Sequence, residues 1–99
     1  MSTWKRGFLE IIAEILNCIK EGNNQKTKVC SKCNLDSRAV KKYLKLLQSM
    51  NLVKPLNGDM TSFVITEKGI KYLDRFNLFI DMIEKDLRNL TSTQLVRRR

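Results

Sequence analysis

The sequence contains no histidine. That removes the side chain most often used as a general base near neutral pH, and a common zinc ligand. The four glycines are scattered, so no glycine-rich loop is available to cradle a phosphate. No nucleophile and base fall into a recognisable set, and the chain reads as a non-enzyme without cofactor, metal or small-molecule ligand. No apolar run approaches the ~20 residues that a membrane span needs. The N-terminus lacks the basic start, apolar block and small-residue cleavage site of a signal peptide, so the expected location is the cytoplasm. Cysteine is scarce: Cys18, Cys30 and Cys33 are odd in number and do not form the framework of a secreted disulfide protein.

Acidic residues are also few. Nineteen Lys and Arg face ten Asp and Glu, a net charge of +9 over 99 residues. A surplus of this size favours a polyanionic partner. The charge is unevenly placed. Residues 1–25 balance to zero, whereas residues 26–54 carry Lys26, Lys28, Lys32, Arg38, Lys41, Lys42, Lys45 and Lys54 against Asp36 alone, a net of +7. Residues 55–90 sum to −1, and Arg97, Arg98 and Arg99 add a basic tail. Charge localised in this way implies a binding face.

Hydrophobic spacing predicts a helix over Phe8 to Glu21, stopped by Gly22, and a short one over Thr27 to Cys33. A third, over Ser37 to Met50, is capped by Asp36 or Ser37. On a helical wheel of the third, Ala39, Val40, Tyr43, Leu44, Leu46, Leu47 and Met50 take one side. Arg38, Lys41, Lys42, Lys45, Gln48 and Ser49 take the other, and the sets do not mix. Two strands follow, about Leu52 to Leu56 and Met60 to Ile65, joined at Asn57-Gly58-Asp59, with Pro55 marking an edge strand. Thr66 caps a last helix, Glu67 to Leu90, roughly 36 Å long. Its residues Leu73, Phe76, Ile80, Ile83, Leu87 and Leu90 are spaced 3, 4, 3, 4, 3, the a/d seam of a coiled coil. Ile70, Leu78, Phe79 and Met82 widen the apolar surface, and part of it is expected to pack on the preceding residues. Glu84 and Asp86 flank the seam without an evident partner.

Three helices and a hairpin, in that order, are the order of a winged helix-turn-helix head. The expected class is α+β, mostly α. The expected units are a head over residues 1–66, a coiled-coil dimerisation helix over residues 67–90 and a basic flexible tail over residues 91–99. In such a head the third helix enters the major groove. The candidate DNA contacts are Lys26, Lys28, Lys32, Ser37, Arg38, Lys41, Lys42, Lys45 and Lys54. Lysine acts more as a point charge than arginine does, so a lysine-rich face favours gripping the backbone over reading bases. The hairpin is weaker as a contact, because Asp59 at its tip repels phosphate. The candidate dimer residues are the six of the seam.

Several stretches carry a family likeness: Leu9-Glu10-Ile11-Ile12, Lys26-Thr27, Asn34-Leu35, Tyr43-Leu44-Lys45-Leu46-Leu47 and Thr66-Glu67-Lys68-Gly69. In this order the chain resembles the small archaeal chromatin-associated winged-helix proteins of the 10a type, from about Phe8 to Leu90. The resemblance implies a homodimer joined by an antiparallel coiled coil, nucleoid-associated, with weakly sequence-specific binding of double-stranded DNA in an architectural role. A sequence-specific transcriptional regulator is the alternative in the same class, and a dimeric protein–protein interaction module the alternative outside it. Cys30 and Cys33 depart from the family pattern. Their Cys-x-x-Cys spacing permits a redox or metal reading, but a structural zinc needs four ligands, and small apolar thiols in the second helix are the favoured reading.

Overall fold

The element order is α1 (Phe8–Lys20), α2 (Lys26–Cys33), α3 (Ser37–Ser49), β1 (Val53–Leu56), β2 (Asp59–Ile65) and α4 (Glu67–Leu90). The computed structural model describes residues 7–56 and 58–90. Asn57 of the expected turn and the tail of residues 91–99, with Arg97, Arg98 and Arg99, lie outside the described residues. So does the Asp59 side chain, on which the expected phosphate repulsion rested. The fold is mostly helical α+β, as the periodicity predicts, and each element ends within two residues of its predicted limits.

The ends are set by local chemistry. Gly22 at φ +101° and Asn34 at φ +55° take the left-handed conformation that stops α1 and α2. At the start of α3 the Asp36 carboxylate accepts a hydrogen bond from the Ala39 N–H at 2.8 Å. Thr66 caps α4 by accepting from the Gly69 N–H at 3.0 Å, while its hydroxyl donates to the Asn51 carbonyl at 2.6 Å. That second bond ties the start of α4 to the end of α3. The hairpin pairs Val53 with Ile65 and Pro55 with Phe63, then shifts register after Pro55.

One core unites all the elements. Ile15, Leu16 and Ile19 of α1 meet Val29 of α2, Val40, Leu44 and Leu47 of α3, Leu52 and Val53 before and in β1, Phe63 of β2 and Leu73 of α4. The inclusion of Leu73 extends the head past Thr66, because the first two turns of α4 complete its core. Gly69 is what permits this approach. A Cβ there would collide with the Leu52 carbonyl oxygen and the Ile65 side chain. Leu52 O also accepts from the Thr66 N–H at 2.9 Å, and Lys68 Nζ donates to Met50 O at 2.9 Å.

Beyond those turns α4 keeps only partial contact with the head, through Phe76 and Ile80. Only Gly69 and Leu73 are buried in it. Phe76 packs on the core in part, and Ile80 is half-buried. Leu78, Phe79 and Met82 are each about 60% exposed. The part of the apolar surface that packs on the head therefore does not include these three. The head takes Leu73 and Phe76, because Gly69 fixes the rotation of α4 against Leu52.

Candidate nucleic-acid interface

Burial of Val40, Leu44 and Leu47 fixes the rotation of α3. Its opposite face carries Ser37, Arg38, Lys41, Lys42 and Lys45, all exposed, with Gln48 half-buried. Among the described residues no ion pair involves these cations. At 100° per residue this face divides into two edges. Ser37, Gln48, Lys41 and Lys45 lie within about 80° of one another, and Arg38, Ser49 and Lys42 within about the next 60°.

The first edge faces α2 and the hairpin. Lys41, Leu44, Lys45 and Gln48 line a cleft of about 130 Å³ together with Lys26 and Phe63. A second cleft, of about 500 Å³, is lined by Gln25, Lys26, Thr27, Cys30, Ser37 and Thr61. Lys26 belongs to both, so the two adjoin as one trough between α2, α3 and β2. Main-chain links hold its walls in place. The Phe63 N–H donates to Asn24 O at 2.9 Å, and Gln25 bridges to Ser62.

The expected contact residues thus separate. Lys26, Ser37, Lys41 and Lys45 converge on the trough, and Arg38 and Lys42 form the outer edge of α3. Lys28 and Lys32 do not join them. They sit about 160° or more around α2 from Cys30, which lines the trough. Lys54 is exposed on β1 opposite Val64 and borders neither cleft. Gln25, Thr27, Gln48 and Thr61 were not among the candidates. Gln48 could have been found from its place on the polar face. Thr61 could not, because its nearness to Ser37 arises only when β2 folds against α2.

The cysteines separate too. Cys18 and Cys33 are buried in the core, whereas Cys30 is half-buried at the trough wall. The Cys18 thiol donates to Asn23 O at 3.6 Å. Burial pushes its pKa above the ordinary thiol value, and a hydrogen bond with Cys33 opposes that in part. A raised folded-state pKa means that the native protein holds this proton after the unfolded chain has released it. Stability therefore falls as pH rises through the ordinary thiol range. A disulfide reagent applied to the native protein should modify Cys30 first, leaving Cys18 and Cys33 to react only on unfolding. Prompt loss of all three thiols would contradict this burial.

The expected dimer residues are also divided. Leu73, at 1% exposure, belongs to the core of its own head and is closed to a partner. That corrects its assignment to the seam, and Phe76 packs in part on the same core. Ile80 borders a cleft with Glu10, Ala13, Glu14 and Asn17 of α1. Ile83, Leu87 and Leu90 are 40–55% exposed.

A sequence model of the winged helix-turn-helix family matches residues 5–95. The chain is 39% identical over 83 residues to an uncharacterized protein of Methanocaldococcus jannaschii, covering 83% of this chain and 82% of that one. Among solved structures, a mutant of S. aureus MepR superposes with a TM-score of 0.71 at 16% identity, covering 89% of this chain and 69% of that one. A mutant of Lactococcus lactis ZitR gives 0.67 at 23% identity, with 93% and 64% covered. At these identities the structural likenesses establish the fold alone. No helix among the described residues is long and apolar enough to cross a membrane. With nearly the whole chain matched, and with the helix–helix–helix–hairpin order in place, the chain belongs to the winged helix-turn-helix family.

Proposed function

We propose that this protein is a dimeric DNA-binding protein of low sequence specificity, with an architectural role like that of the archaeal 10a type it resembles. The observation that carries this reading is the polar face of α3: Arg38, Lys41, Lys42 and Lys45 without one acidic neighbour on that face. A helix is the right width for the major groove. The trough beside it, lined by Lys26, Lys41 and Lys45, offers cations to a phosphate backbone. Lysine ammonium groups attract phosphate without demanding one orientation, which fits binding that tolerates sequence.

Titration of unrelated duplexes at two salt concentrations tests this. Affinities should agree within about tenfold between duplexes and fall steeply with salt, as counterion release requires. A preference of a thousandfold or more for one duplex would transfer the chain to the sequence-specific regulators. No binding to any duplex at low salt removes DNA as the partner and leaves the protein–protein module.

The second copy is inferred from α4. Tyr72, Phe79, Ile83 and Leu90 are 40–59% exposed, and they fall within about 40° of one another on the helix. Leu87 is exposed on one side of them and Met82 and Leu78 on the other, and an exposed apolar surface of this length is a mark of an interaction surface. It is rotated from the a/d seam predicted by spacing, toward Tyr72 and Phe79. Rotation also gives Asp86 a partner. Arg75 and Asp86 now border the same flank of the stripe. A two-fold axis across paired helices sets one flank against itself in reverse order. Around a midpoint between Ile80 and Asp81, Arg75 of each copy then faces Asp86 of the other, and this favours antiparallel pairing.

A further inference from the structure

We propose that the small cleft between α2, α3 and β2 is a seat for a single backbone phosphate, gripped jointly by Lys26, Lys41 and Lys45. The proposal rests on the DNA-binding reading and names the group that this part of the interface takes.

Lys26 of α2 and Lys41 and Lys45 of α3 line one cleft of about 130 Å³. That is roughly the liquid volume of four waters, room for a tetrahedral anion and a bridging water. No carboxylate lines it, and Lys26, Lys41 and Lys45 make no ion pair among the described residues. Gln48 adds a neutral amide, able to donate to a phosphate oxygen. The floor is Leu44 and Phe63, both 2% exposed, so an anion above them meets a low-dielectric wall that strengthens its attraction to the ammonium groups. Without an anion the three like charges repel one another across this wall, and a phosphate removes that repulsion. The seat is built before DNA arrives. The Phe63 N–H to Asn24 O bond and the Gln25–Ser62 bridge hold α2 and β2 together, and the buried face of α3 holds the third side. The main chain of the seat needs little ordering on binding, and the lysine side chains are what remain to be fixed.

The seat also divides labour on α3. Its trough edge anchors the backbone whatever the sequence, whereas Arg38 on the outer edge is the residue free to make paired bonds to a base.

A charge-matched pair of variants separates a seat from general attraction. Lys26→Ala with Lys45→Ala and Lys28→Ala with Lys32→Ala each remove two cations, but only the first pair touches the cleft. The first should weaken duplex binding at low salt about tenfold or more, and make the log–log salt dependence shallower by about one phosphate contact. The second should leave the slope within error of wild type. Equal losses for the two variants overturn the seat while leaving DNA binding intact. If the wild-type protein binds no duplex at all, the underlying DNA reading fails instead. Thermal unfolding of both variants should match or exceed wild type, because each relieves like-charge repulsion.

Discussion

Replacing Gly69 with alanine should lower the thermal midpoint by roughly 12–24 °C. The figure follows from a cost of about 3 kcal/mol, the upper part of the usual range for overpacking, at 4–8 °C per kcal/mol for a domain of this size. Helix propensity alone predicts the opposite sign. Glycine inside a helix costs about 1 kcal/mol relative to alanine, so a permissive site would gain stability from this substitution. Geometry decides against propensity here. The added methyl meets the Leu52 carbonyl oxygen and Ile65, and a main-chain oxygen cannot rotate away as a side chain can. The same oxygen accepts the Thr66 N–H at 2.9 Å, so moving it breaks a bond at the junction of the hairpin and α4. Relief would require lifting α4, and that withdraws Leu73 from the core. Calorimetry of the variant checks the result. A midpoint equal to or above that of wild type would falsify the close packing of α4 on Leu52.

The second large effect is expected from Phe79→Asp with Ile83→Asp. Both residues are exposed on the isolated chain, at 59% and 40%, and neither belongs to the core of the head. The head should therefore fold. In a dimer the same positions lie between two helices, where an unpaired carboxylate costs several kcal/mol. Sedimentation should change from dimer to monomer. Helical content should fall as well, because the far half of α4 then lacks the burial that holds a helix of its length together. DNA affinity should drop by about 100-fold or more, since two linked heads bind with an effective concentration that separated heads lack. A variant that still sediments as a dimer would show that the stripe faces something other than a second copy. A wild-type protein that sediments as a monomer would remove the dimer altogether.

These two substitutions mark where the sequence was legible and where it was not. The α3 face could be read directly. Its apolar and basic residues separate at a period of 3.6, and a helix has only one way to bury the first set. Asp36 and Thr66 as caps and Gly22 as a stop were equally plain, because capping depends on neighbours within four residues. The basic block from Lys26 to Lys54 was visible as charge but not as a surface. Lys26 and Lys32 lie six residues apart, and only the packing of Val29 and Cys33 into the core decides that one meets α3 and the other turns away.

The seam of α4 shows the same division more sharply. Its spacing gave two overlapping apolar sets, and heptad counting chose Leu73, Phe76, Ile80, Ile83, Leu87 and Leu90 for a partner. Local periodicity cannot tell which set faces the head and which a second molecule, because both satisfy the same repeat. The contact of Gly69 with Leu52 makes that choice.

The sequence by itself determined the elements, their ends, the amphipathic cut of α3 and the basic character of the chain. Each depends on interactions within a turn or two of the residue concerned. The tertiary structure alone decided that the head reaches to Leu73 and that Lys26 shares a cleft with Lys41 and Lys45. It also decided that α4 exposes Tyr72, Phe79, Ile83 and Leu90. Each of these is a rotation or approach of one element against another, set by close packing between residues far apart in the chain.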